Sequence, residues 1–192
     1  MSKTKPNRSA RDIALSLLSR REHTAAELSD KLRRRGIPTI EITDVIERLT
    51  ETGIIDNERA ARIIIRGELR KRPLGRMRLL AKLNQRRVPS AVIKRCFDEM
   101  DEGWEHEQCI RATDSWFRKN MRSVHWKDAL ARHLRSRGFA WECIRDALGS
   151  AETGEGMEGW MDWLRAALAA KRAARRTQSS QEERGDHKEA ES

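Results

Sequence analysis

The chain has 192 residues, 36% of them charged and 38% hydrophobic, and its 40 Lys and Arg outnumber 30 Asp and Glu to give a formal charge of +10. Such a composition describes a soluble protein with a thin core and a wide solvated surface, expected in the cytoplasm and without a membrane-spanning segment. Three cysteines in unrelated positions, Cys96, Cys109 and Cys143, make no disulfide framework and suit a reducing compartment.

Residues 1–9 are expected to form a flexible basic N-terminus, and no apolar run follows Met1 to Arg11 that would make a signal peptide. A first three-helix unit is expected over 10–51, because apolar residues fall three or four apart in three runs divided by breakers. Its second run, Ala25 to Arg35, carries Leu28 and Leu32 on one face. Thr24 with Glu27 is a capping-box pattern at the start of that run, and Gly36 closes it in the left-handed conformation. Ile42, Val45, Ile46 and Leu49 line one face of the helix that follows.

A second unit is expected over 52–100. The run Ile63, Ile64, Ile65, the one stretch with a strand-like composition, sits at its first-helix position. Pro73 and Gly75 break the chain before the helix bearing Leu79 and Leu83. Ile93, Cys96, Phe97 and Met100 repeat the apolar face of the third helix. Arg87 stands where glycine closes the other units, so this turn must either take a strained or different backbone conformation or bond its last carbonyls another way.

The third unit is expected over 101–149, with Leu130 and Leu134 on its second helix, Gly138 at the turn, and Ile144, Ala147 and Leu148 on its third. Trp116 falls at the repeat position of Ala14 and Ile65 and is assigned to the core. Trp126 matches Thr24 and Gly75 at the start of a helix and is the candidate for an exposed contact. Over 150–176, Trp160, Met161, Trp163, Leu164, Ala167 and Leu168 suggest a C-terminal amphipathic helix that caps the last unit, and 177–192 has the composition of a disordered tail.

The units are copies at one spacing of 51 residues: Leu28, Leu79 and Leu130; Leu32, Leu83 and Leu134; Arg35, Arg86 and Arg137; Ile37, Val88 and Phe139; Ile42, Ile93 and Ile144; and Pro38 with Pro89. The fold class that follows is all-α: three tandem three-helix repeats in an elongated, curved array, because a unit this small needs a stacked neighbour to bury enough surface.

Charge is concentrated in the middle unit. From Arg59 to Arg95 there are 13 Lys and Arg and a single acid, Glu68. A solvated helix face normally mixes signs, and this one does not, which suits a phosphate backbone or an acidic protein surface. Chemistry leaves little trace by comparison. No Gly-rich loop leads into a helix with the Lys and Ser or Thr of a nucleotide site, so an ATPase is not expected. No pair of histidines has metal-ligand spacing, His106 and Cys109 lack further ligands, and Cys96 belongs to an apolar face. Asp98, Glu99, Asp101 and Glu102 fall at the link between the second and third units, where a helix-end role fits better than acid and base catalysis. No catalytic residue, metal or cofactor is expected, and a hydrolase has no constellation to support it.

The run from Ala14 to Leu28, with Lys31, Leu32, Arg33, Arg34, Arg35 and Gly36, resembles the opening of the bacterial RecX family. Val45, Ile46, Glu47, Arg48 and Leu49, followed by Gly53 to Ala61, are similar to that family's link into its second repeat. The likeness covers roughly Ala10 to Leu148. It departs from the family at Ala60, where an aromatic residue is usual, at the Pro73, Leu74, Gly75 turn and at Arg87. The resemblance implies a non-enzymatic modulator of the RecA recombinase, a monomer that lodges in the groove of the RecA filament on DNA and restrains strand exchange, ATP hydrolysis and coprotease activity. On that footing Arg66, Arg70, Lys71, Arg72, Arg76, Arg78, Arg86 and Arg87 are expected to supply most of the attraction to filament or to single- or double-stranded DNA, with Arg33, Arg34 and Arg35 extending the surface. The alternative is a helical-repeat protein that binds DNA without sequence specificity and without RecA.

Overall fold

A computed structural model describes residues 9–120 and 125–152. Among these residues there are helices and no strands. They run in the order α1 Ala10–Leu18, α2 Ala25–Arg33, α3 Thr39–Glu51, α4 Asn57–Lys71, α5 Arg76–Gln85, α6 Ser90–Asp98, α7 Trp104–Asn120, α8 Trp126–Ser136 and α9 Trp141–Glu152. The expected N-terminal arm apart from Ser9, almost all of the expected C-terminal helix and the tail lie outside the described residues.

Local sequence sets where the helices begin. The Ser9 hydroxyl accepts from the Asp12 N–H at the head of α1, and the Asp56 carboxylate accepts from the N–H groups of Glu58 and Arg59 at the head of α4. At α2 the capping box is complete: Thr24 accepts from the Glu27 N–H while the Glu27 carboxylate accepts from the Thr24 N–H. The three isoleucines of α4 divide by helical geometry, with Ile65 buried and Ile63 43% exposed.

The ends of α2, α5 and α8 are three examples of one motif. Gly36, Arg87 and Gly138 have φ of +79°, +51° and +78°. In each, the next residue reaches back five positions: the N–H groups of Ile37, Val88 and Phe139 donate to the carbonyls of Leu32, Leu83 and Leu134 at 3.3, 3.1 and 3.3 Å. Of the two possibilities open at Arg87, the strained one is realised. Arginine there adopts the left-handed backbone that glycine takes in the other two turns, at a cost of about 1 kcal/mol. The 51-residue period therefore has a structural content: two leucines, a left-handed residue and an apolar residue that folds back over the helix end.

The described residues gather into two compact units. One contains those up to Arg72 together with Met77–Met100, and the other contains Pro73–Arg76 together with those from Asp101 onward. In the first, α1, α2 and α3 pack Ala14, Leu28, Leu32, Ile42 and Leu49 into one cluster, and Ala61, Leu79, Leu83, Ile93 and Phe97 are buried along α4, α5 and α6. In the second, Ile110, Trp116, Leu130, Leu134, Phe139 and Ile144 form the core of α7, α8 and α9. Trp116 is buried, as its repeat position requires.

Each unit also holds a joint between a turn and a helix end, in the same register. In the first, the Thr24 hydroxyl donates to the Arg86 carbonyl at 2.9 Å. In the second, the Gly75 N–H donates to the Arg137 carbonyl at 3.0 Å, and the Arg137 guanidinium donates to the Pro73 carbonyl at 3.1 Å. A Cβ on Gly75 would lie 2.2 Å from the Gly138 carbonyl oxygen, so only glycine allows that approach.

Two glycine substitutions separate strain from collision. Gly36→Ala meets no atom within 4 Å and should lower the unfolding free energy by about 1 kcal/mol through its backbone conformation alone. Gly75→Ala drives a methyl into backbone and should cost about 3 kcal/mol. Denaturant titration of both variants measures the difference, and equal losses would refute the close approach at Gly75.

Candidate polyanion-binding surface

Repeat geometry brings many of the predicted cations against acids of the same unit. Arg86 is half-buried, and its guanidinium pairs with the Glu27 carboxylate of α2. Arg87 and Arg33 both reach Asp30, each at 2.9 Å. Lys71 lies 2.7 Å from Glu68, with Lys82 at 4.0 Å from the same carboxylate. The Lys71 hydrogen bond holds the Glu68 carboxyl below its usual range, although burial opposes it. Arg35 donates to the Lys31 carbonyl at 3.2 Å. The Arg76 guanidinium sits 5.9 Å from the centre of the Trp104 ring, and its backbone N–H donates to Glu105 at 2.9 Å.

Cations outside the predicted set are paired in the same way. Arg59 meets Glu22 at 2.8 Å, Arg62 meets Glu99 at 2.7 Å and Glu58 at 3.2 Å, and Arg95 meets Glu58 at 2.5 Å. The acids Glu58 and Glu99, on either side of the basic run in sequence, thus fold back on it. Glu99 closes α6 and takes the Arg62 hydrogen bond, which holds its carboxyl below its usual range.

What remains after this pairing is smaller and more sharply placed than the sequence run. Arg34, Arg66, Arg70, Arg72, Arg78 and Lys94 are exposed, and their side chains make no ion pair within 4 Å and no hydrogen bond among the described residues, although Arg72 is near enough to Glu68 to help hold its carboxyl down. Arg59, Arg62, Arg66 and Arg70 form one stripe of α4 by the three-and-four spacing of a helix face. The first two are neutralised and the last two are open to solvent, with Arg72 and Arg78 following across the turn into α5. These free guanidinium groups can take phosphate or carboxylate oxygens bidentately without first breaking an internal contact.

Burial also settles the thiols and tryptophans. Burial pushes the Cys143 thiol up to about 12 and raises that of Cys109, whose Sγ–H faces the Cys143 carbonyl at 3.5 Å, so neither supplies a thiolate near neutral pH. No group of three or more His, Cys, Asp or Glu side chains is gathered for a metal among the described residues. Trp126, the expected exposed contact, is half-buried and packs on Phe117 with ring centres 5.4 Å apart. Exposure belongs instead to Trp141, at 59%. Repeat register held the signal for this, since Trp141 occupies the place of Thr39 and Ser90, which no core requires.

This arrangement is that of an all-α repeat protein with internally clasped helices and a residual cationic face. A sequence profile described as the RecX first three-helix domain matches residues 10–49. The regulatory protein RecX of Chlorobaculum tepidum is 33% identical over 141 residues, covering 73% of this chain and 86% of that one. That of Halorhodospira halophila is 34% identical over 144 residues, covering 74% and 88%. The crystal structure of RecX from Lactobacillus salivarius superposes with a TM-score of 0.67 at 18% identity, over 75% of this chain and 95% of that one. The chain belongs to the RecX family of regulatory proteins.

The clasp beside Thr24 makes stability depend on pH. His23 is 2% exposed, and burial, with Arg21 and Lys31 nearby, lowers its pKa despite the Glu27 carboxylate at 3.3 Å. Below the unfolded value of 6.5 the unfolded chain takes up a proton that the folded one resists, so stability should fall as pH drops from about 7 to 5. His133, also lowered by burial, acts in the same sense. Replacing His23 by Gln should remove up to about 1.4 kcal/mol per pH unit from this slope and leave the His133 part. Chemical denaturation at a series of pH values decides it, an unchanged slope counting against the buried imidazole. Arg86→Ala should cost about 2 kcal/mol by leaving the Glu27 carboxylate only the more exposed Arg21 guanidinium at 3.4 Å, whereas Arg66→Ala should leave thermal stability unchanged.

Proposed function

We propose that this chain is a non-enzymatic modulator of the RecA recombinase, acting as a cytoplasmic monomer that lodges in the groove of the RecA filament on DNA. It restrains ATP hydrolysis, strand exchange and coprotease activity by occupying that groove. Its contacts are made by three three-helix modules, over 10–51, 52–100 and 101–149, and its attraction to filament and DNA comes from the cations of the second. No helix of the described residues is long and apolar enough to cross a membrane.

The observation that carries this reading is the set of exposed arginines, Arg66, Arg70, Arg72 and Arg78, that make no ion pair within 4 Å among the described residues, beside Arg59, Arg62, Arg86, Arg87 and Arg95, which do. A fold stabilised by its own ion pairs has no need of four guanidinium groups left in water. They are placed to be neutralised by a partner, either acidic protein surface or DNA phosphate. Arg34 and Arg35 extend that surface from the first module. Arg33, Arg86 and Arg87 serve it less directly, because binding through them competes with Asp30 and Glu27.

Substoichiometric protein added to RecA filaments on single-stranded DNA should inhibit ATP hydrolysis well below one copy per RecA monomer. Reversal of Arg66, Arg70, Arg72 and Arg78 to Glu should abolish that inhibition while leaving the helical circular dichroism intact. Full inhibition by the reversed protein would remove the arginines from the mechanism. No inhibition by the wild type, with DNA binding that weakens log-linearly in salt, would move the function to DNA binding without RecA.

A further inference from the structure

In the unit that contains α7, α8 and α9, a single large hydrophobic side chain is exposed among the described residues. It is Trp141, 59% open at the start of α9. Three features set it apart from a core residue that happens to protrude. The equivalent positions are Thr39 and Ser90, each also the first residue of its helix, so the repeat fold places a small polar residue there and the indole adds nothing to packing. Its ring is accompanied by the Arg135 guanidinium at 5.9 Å. And the Arg135 side chain has neither acid partner nor hydrogen bond among the described residues. One turn back on the same face of α8, Arg132 donates to the Asp128 carbonyl and has no acid partner either.

Partner chemistry follows from what surrounds the ring. A protein-binding surface draws its affinity from a patch of apolar side chains around an aromatic anchor. Among the described residues of this unit no second large apolar side chain is exposed beside the indole; the Arg135 guanidinium lies at its ring, and the Glu105 carboxylate accepts from the neighbouring Ala140 N–H at 3.2 Å. A flat π surface with one guanidinium at the ring and a second one turn along the helix matches a nucleotide: the base stacks on the ring and the adjoining phosphates meet the guanidinium groups. Paired DNA hides the faces of its bases, so the fit is to a single strand. The carboxylate next in sequence, Glu142, lies in the first turn of α9, where it complements the positive end of the helix.

We infer that Trp141 with Arg135 forms a stacking platform for an unpaired base of single-stranded DNA, and that Arg132 takes a neighbouring phosphate. This deepens the reading of the chain as a protein that acts on a DNA-bound filament, and it rests on that reading for the presence of a single strand near α8 and α9. It places a base-stacking contact on the third repeat, apart from the free arginines of the second.

The test uses the full chain and DNA alone, without RecA, so that failure here is separate from failure of RecA inhibition. Fluorescence anisotropy of a labelled mixed-sequence single strand and of its duplex is titrated with wild type, Trp141→Ala, Trp141→Phe and Trp141→Ser, the last restoring the residue type of the second repeat as a control for folding. Trp141→Ala and Trp141→Ser should weaken single-strand binding about tenfold and leave duplex binding unchanged, while Trp141→Phe keeps most of the affinity. Arg135→Gln should reduce the salt slope for the single strand by about 0.7. Single-strand binding as tight in Trp141→Ala as in wild type overturns the platform, as do equal losses on single strand and duplex, or no measurable single-strand binding by the wild type. If Trp141→Ala binds DNA normally yet loses inhibition of RecA hydrolysis, the indole docks on protein and the inference is wrong while the regulatory reading stands.

Discussion

The last carbonyls of an α-helix have no partner within the helix, and in this protein one of them joins the end of a helix to another part of the chain. The Arg86 carbonyl accepts the Thr24 hydroxyl, and the Arg137 carbonyl accepts the Gly75 N–H. Both contacts depend on the left-handed turn that follows α5 and α8, because that turn folds Val88 or Phe139 back over the helix and aims the carbonyl outward. The paired leucines in turn hold the helix against its neighbours. Period and turn therefore occur three times in the chain, and the joint built on them twice.

Electrostatics follows from that constraint. Once Thr24 is seated against the end of α5, Glu27 one turn along faces Arg86, and Asp30 one turn further faces Arg87. Burial works against the charge of Glu27, but Arg86 beside it prevails and holds the carboxyl below its usual range. At the equivalent of Glu27 in the second repeat stands Arg78. The Arg137 guanidinium, at the repeat position of Arg86, donates to the Pro73 carbonyl.

Much of the fold was legible in the sequence because its signals are local. The capping box at Thr24, the leucine spacing and the turn glycines each lie within a few residues of one another, and each appears where expected. The candidate surface was less legible because pairing is not local: Arg86 and Glu27 are far apart in the chain, as are Arg62 and Glu99. A run of like charges in sequence therefore overstates the free charge in space. Trp126 was misplaced for a related reason. Its position at a helix start says nothing of Phe117, which arrives from α7 to cover it.

The two joints differ in the kind of hydrogen they use. At Thr24 the donor is a hydroxyl, whose proton exchanges with water too fast to be followed, and a side-chain torsion lets it yield without moving the backbone. At Gly75 the donor is an amide pressed against the backbone of Gly138. That amide is a built-in gauge. Its rate of exchange with deuterium reports how often the Pro73–Gly75 turn parts from the end of α8, while the Thr24 joint opens and closes silently in the same measurement.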